Sequence, residues 1–265
     1  MLDPTHTPGE LLFEHYLDLL QIGFEFEKEH IGRSRRPDYT IAWNSLTVVF
    51  DVKDFDAPTE IIKGFGAFDP YPRIREKIEQ GRDKFKPFKD VCCALVLCNL
   101  GHPFVMLEDQ HIMLGAMYGD SGFTFPVNTQ TGVGDASKLK RAFLGKGKMI
   151  RPNWSTPQNT TISALITLSS VQPDYVRLLE MIREHRDKSI EECQEELERT
   201  RPGYDPNMET PRVIVWHNAV ARIPFPSDLF CGRYDSHFGV VQEDGETFQR
   251  LTFRGDLLPR SVKPR

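Results

Sequence analysis

The chain has 265 residues, 39% hydrophobic and 27% charged, with a formal net charge of −5 at pH 7. That length supports one substantial α/β core, and the composition excludes a disordered chain. No apolar stretch approaches the roughly 20 residues of a membrane helix. The start, MLDPTHTPGE, has no basic and apolar leader, and the five unevenly spaced cysteines form no CxxC pair, so a cytoplasmic protein without a zinc site is expected.

Residues 8–21 carry an apolar helical stripe through Leu12, Tyr16, Leu19 and Leu20, with Pro8 in the first turn and Gly23 as the stop. Glu10, Glu14 and Asp18 share the other face. A short strand is expected within Gly23–His30, followed by the basic turn GRSRRP. DYTIAW and LTVVFDVK are β-branched and aromatic runs separated by Asn44-Ser45, which predicts a hairpin. Residues 71–86 predict a helix with Ile74, Ile78 and Phe85 inward. VCCALVLCN (91–99) predicts a central strand buried on both faces. Residues 100–160 are irregular and are expected to form an insertion or lid, with a short basic helix from Ala136 to Leu144 capped by Asp135. A strand at 162–170, one long helix from Pro173 to Thr200, a last strand at 212–218 and a turn-rich tail complete the pattern.

The hairpin makes a geometric statement. A two-residue loop at Asn44-Ser45 sets residue i of the first strand against residue 89 − i of the second, so Asp38 faces Asp51. Tyr39, Ile41, Trp43, Leu46, Val48 and Phe50 then share one large apolar face. Thr40, Ala42, Thr47 and Val49 share the other, which ends in the two carboxylates. Opposed Cβ atoms lie ~4.5–5.5 Å apart, so the two acids repel unless a cation or proton sits between them. Lys53, two residues beyond Asp51, points to the same side. Such a set suits Mg²⁺, which takes one or two carboxylates and keeps several waters.

The string RRPDYTI…VVFDVKDF, with Pro37-Asp38 and Asp51-Val52-Lys53 twelve residues apart between the aspartates, resembles the core motif of the PD-(D/E)xK nucleases. No other Asp or Glu in the chain has a Lys two positions on. The resemblance covers residues 8–100. It implies an α/β restriction-endonuclease-like fold with a mixed central sheet flanked by helices. One domain would span 1–265, its core at about 8–100 and 160–220.

The resemblance also implies Mg²⁺, with Mn²⁺ able to substitute, on Asp38, Asp51 and the Val52 carbonyl. Glu14 (or Glu10) would be the helix acid, and Lys53 would act on the attacking water. Such an enzyme is expected to cut DNA, as a restriction or host-defence endonuclease. Alternatives are an RNA or structure-specific nuclease and a non-catalytic nucleic-acid-binding or assembly protein. Many members carry a polar helix facing substrate after the hairpin; here Arg73, Lys77, Gln80 and Lys84 have that spacing. Arg35, Arg36, Lys140 and Arg141 are further candidates for phosphate contact, the last two within an acid-free run from Ala136 to Arg151. A homodimer is compatible with double-strand cutting.

Plainer alternatives accompany each feature. Asp51 and Lys53 alone fit a surface ion pair on a strand edge, which leaves Asp38 unexplained. The charged faces of both helices and the basic run fit solvated surface. Thr131–Gly134 lacks the lysine of a phosphate loop, Pro173-Asp174 opens a helix, and His217-Asn218 lacks the second histidine cluster of an HNH site.

Overall fold

A computed structural model describes residues 6–56, 69–138, 140–150, 156–201, 203–205, 207–242 and 251–254; side chains at 121–124, 136, 140–144, 241–242 and 251–254 lie outside that description. Two compact units are distinguished, one of residues 1–168 and 213–265, the other Ser169–Arg212. The first unit holds most of a mixed α/β sheet with strand order β1-β2-β3-β4-β7-β8-β9-β10, and a separate β5-β6 pair.

Helix α1 (Pro8–Leu19) begins with a capping box. The Thr7 hydroxyl accepts from the Glu10 N–H, and the Glu10 carboxylate accepts from the Thr7 N–H. The helix stops at a Leu20 cap, and Gln21 takes the left-handed conformation (φ 56°), so the chain turns before Gly23. After β1 (Glu25–Phe26), β2 (Tyr39–Trp43) and β3 (Leu46–Phe55) form the hairpin. Its register is the expected one: Tyr39 opposes Phe50, Ile41 opposes Val48 and Trp43 opposes Leu46. Asn44 makes the turn at φ 52°.

From β3 the chain reaches α2 (Pro72–Phe85) and returns in β4 (Cys92–Asn99), which pairs parallel to β3 with Asp51 beside Leu95 and Lys53 beside Leu97. β4 is central, between β3 and β7 (Ala164–Val171), and buried through all but its last residue. This matches its unbroken apolar sequence.

The two sides of the sheet have separate cores. On one, Phe13, Tyr16 and Leu17 of α1 pack with Tyr39, Ile41, Val48, Phe50 and Val52. On the other, Ile74, Ile78 and Phe85 of α2 pack with Val49, Phe55, Leu95 and Leu97. Each such large side chain contributes roughly 1.5–3 kcal/mol on burial. Gly81 brings α2 close to the sheet, because a Cβ there would stand 2.9 Å from Leu95 Cδ1. Asp54 lies on the α1 side, where its Oδ2 accepts the Gly9 N–H at 3.2 Å.

Several expectations are corrected. The 100–160 stretch is not simply a lid: α3 (Gln110–Tyr118), capped by Asp109, buries Met113, Leu114, Ala116, Met117 and Tyr118 in the α2-side core. Residues 136–144 form a 3₁₀ turn (Ala136–Lys138) and then β6 (Lys140–Leu144), paired with β5 (Asp120–Thr124), rather than a basic helix. The tail contains β9 (Ser236–Gln242) and β10 (Leu251–Arg254) after β8 (Thr210–His217).

The second unit is the segment read as one long helix. It divides into α4 (Pro173–Glu184) and α5 (Ile190–Thr200), because Ser189 and Glu192 form a new capping box. Leu178, Met181, Cys193 and Leu197 close its small core. Buried Asp174 pairs with Arg201 and accepts the Asp205 N–H at 2.8 Å.

Candidate active site

The α2 side of the β2–β3 hairpin collects four charged side chains. Alternation along β3 sends Phe50 and Val52 toward α1, and therefore Asp51 and Lys53 toward α2. Asp51 is fully buried on a strand with neighbours on both sides, which excludes a pair on an exposed sheet edge. Its Oδ2 lies 2.9 Å from Lys53 Nζ and its Oδ1 lies 2.5 Å from Lys84 Nζ. Lys84 also pairs with Asp38 Oδ1. The other Asp38 oxygen accepts the Val52 N–H at 2.7 Å. N–H and C=O of one residue leave an extended strand on the same edge, so the Val52 carbonyl is on the Asp38 edge as well. One ammonium thus bridges the two carboxylates, and a second holds the far oxygen of Asp51.

The electrostatics follow. Burial raises the Asp38 carboxyl, the neighbouring Asp51 charge raises it further, and Lys84 opposes both, leaving it at about 6. Burial pulls the Lys84 ammonium down, but Asp51 and Asp38 outweigh that effect and hold it above the ordinary lysine value. This is an acid pair under repulsion and matched by two lysines.

Glu14 is not part of this group. Its Oε1 accepts from the Tyr39 hydroxyl at 3.1 Å and lies 3.2 Å from His6 Nε2, on the α1 side of the sheet. Glu10 is occupied by the α1 cap. Helical spacing had placed both acids on one helix face, but spacing alone does not say which face of the sheet that helix covers.

The basic candidates separate. Lys84, expected to meet phosphate, is instead built into the acid pair. Its contact with Asp38 spans 46 positions of sequence, so nothing local signals it. Lys77 lies over the Phe55 ring at 5.6 Å, and Gln80 donates to Glu76. Arg73 and Arg35 are exposed, and Arg36 pairs with Glu29. Lys140 and Arg141 have backbone pairing in β6, but their side chains, like all of Arg151, lie outside the described residues.

The secondary motifs resolve as ordinary structure. Residues 128–132 form a turn closed by the Gly132 N–H on the Asn128 carbonyl. His217 Nε2 meets His237 Nδ1 at 2.9 Å, and burial followed by the His237 charge lowers His217 to about 4.

Among the described residues no group of three or more His, Cys, Asp and Glu gathers to hold a metal ion. The donors present, two carboxylates with the Val52 carbonyl on the same edge, fit an ion that asks for few protein ligands and keeps its own waters, as Mg²⁺ does. Among the described residues no helix is long and apolar enough to cross a membrane. Comparison of the chain with protein-family models, curated proteins and solved structures gave no match.

Proposed function

We propose that this protein is a Mg²⁺-dependent phosphodiester hydrolase acting on nucleic acid, with DNA the favoured substrate. The observation that carries the proposal is the hairpin register, which sets Asp38 beside buried Asp51 with Lys53 on the same side. A desolvated carboxylate pair costs folding free energy, and holding a hard cation against a phosphate gives that cost a use.

Asp38 and Asp51 would hold the ion, with the Val52 carbonyl. When bound, Mg²⁺ polarises the phosphoryl oxygen and lowers the pKa of its water. Lys53, with part of its side chain exposed, orients the water and places positive charge where the phosphoryl oxygens gain negative charge. Buried Leu95 and Leu97 of β4, beside Asp51 and Lys53 on the same face, keep bulk water from that flank of the pair.

The test is incubation with duplex DNA, single-stranded DNA and RNA in Mg²⁺, with EDTA controls. Metal-dependent cleavage that disappears in Asp51→Ala and Lys53→Ala protein is the expected result. Cleavage unchanged in both variants overturns the site, and no cleavage of any substrate overturns the activity. A second reading has its own support, since Lys53 and Lys84 already pair with both carboxylates. In that case the quartet is a structural ion cluster in a nucleic-acid-binding or assembly protein. Binding without cleavage, unaffected by Mg²⁺, would favour it.

A further inference from the structure

The two oxygens that face one another across the hairpin end, Asp38 Oδ1 and Asp51 Oδ1, share one partner, the Lys84 ammonium. The remaining two are engaged elsewhere: Asp38 Oδ2 by the Val52 N–H and Asp51 Oδ2 by Lys53. The place between the carboxylates is therefore held by a cation supplied by the protein itself. Lys84 stands in the last turn of α2, and Gly81, one turn earlier, lets that helix approach β4. Its side chain keeps partial exposure, so the ammonium has a path outward as well as inward.

We infer that Lys84 is the resident cation of the acid pair, and that a divalent ion enters only by displacing it toward the substrate side. The inference rests on the metal-site reading above. Charge balance drives the exchange. Two carboxylates match two ammoniums; adding a divalent ion without moving Lys84 leaves surplus positive charge among buried groups, which is costly. A phosphodiester arriving at the site supplies the negative charge that receives the released ammonium. Lys84 thereby ties metal loading to substrate arrival. It positions the ion through the carboxylates and is not itself one of its ligands.

The test reads metal affinity rather than activity. Lys84→Met removes the ammonium but keeps a long unbranched side chain; Lys84→Arg keeps the charge. Titrating each folded protein with Mn²⁺ in a calorimeter should show Lys84→Met binding at least about tenfold more tightly than wild type, with Lys84→Arg close to wild type. Equal or weaker binding by Lys84→Met overturns the inference and leaves the metal site standing. No binding by wild type or variant overturns the metal-site reading itself, and the inference with it.

Should Lys84→Met fail to fold, the wild-type protein answers the question. Its lysines are reductively methylated with and without saturating Mn²⁺ and quantified by mass spectrometry. Labelling of Lys84 should rise several-fold with the ion; unchanged or reduced labelling overturns the exchange.

Discussion

Lys84 Nζ lies 2.5 Å from Asp51 Oδ1, although one residue ends a helix and the other sits in mid-strand. Asp51 has a second lysine on its other oxygen, so removing its charge takes the partner from Lys53 and leaves Lys84 with Asp38 alone. Asp51→Asn should therefore cost about 3 kcal/mol in urea unfolding with EDTA present, the order expected when a buried partner is deleted. A cost under about 1 kcal/mol would place these pairs with weak surface contacts instead.

Lys53 is the charged group of the quartet assigned to the water and the phosphate. Under the proposed hydrolase function, Lys53→Met should lower the Mg²⁺-dependent rate of plasmid nicking by about 10²–10³-fold, within the range of general acid–base and electrostatic contributions. Its far-ultraviolet circular dichroism should match that of wild type. An undiminished rate would remove Lys53 from the chemistry.

The pH dependence has a definite sign. The folded Asp38 carboxyl sits at about 6, above the ordinary aspartate value of 3.8. Its stabilising contribution is therefore fully present below about 3.8 and is lost as pH rises through about 6. In metal-free buffer the Asp38→Asn protein should lack this loss. The wild type should fall relative to it by roughly 1–3 kcal/mol between pH 4 and pH 7, measured by denaturant unfolding at each pH. Parallel stability curves for the two proteins would contradict the assignment.

Asn44 holds the hairpin turn at φ 52°, and its side chain donates to Asp228 at 3.1 Å. A β-branched residue there meets the full left-handed penalty, whereas glycine does not. Asn44→Val should lower the unfolding free energy by about 1–2 kcal/mol, and Asn44→Gly by clearly less. Because the turn sets which residues oppose, the proposed hydrolase function also expects the valine variant to nick plasmid more slowly. Equal stability of the two variants would mean that the turn does not constrain the register.

The hairpin was legible because it rests on short-range rules: alternation, a polar dipeptide loop and a register that sorts large from small residues. The same holds for α1, α2 and β4, where periodicity and an unbroken apolar run dominate. The break between α4 and α5 was also written locally, in Ser189 and Glu192, but the charged pattern continues across it and hides the cap. Helix α3 was obscured by the glycines and prolines around it, and only its burial beside α2 reveals it as core. Lys84 marks the limit of local reasoning. Its helical face was readable from spacing, yet the acids it meets are set by how α2 lies on the sheet. Glu14 failed for the complementary reason, being on a correctly read helix that covers the other face.

β3 carries two carboxylates three residues apart, Asp51 toward α2 and Asp54 toward the start of α1. Three is an odd step on an alternating strand, so the two are locked to opposite sides. A hairpin that slipped by one residue would drive Asp51 among Phe13 and Tyr39 while pulling Asp54 away from the Gly9 N–H. The error would strike the helix anchor and the acid pair together. The strand thus acts as a checksum on its own assembly: a one-residue slip gives up both sets of contacts at once.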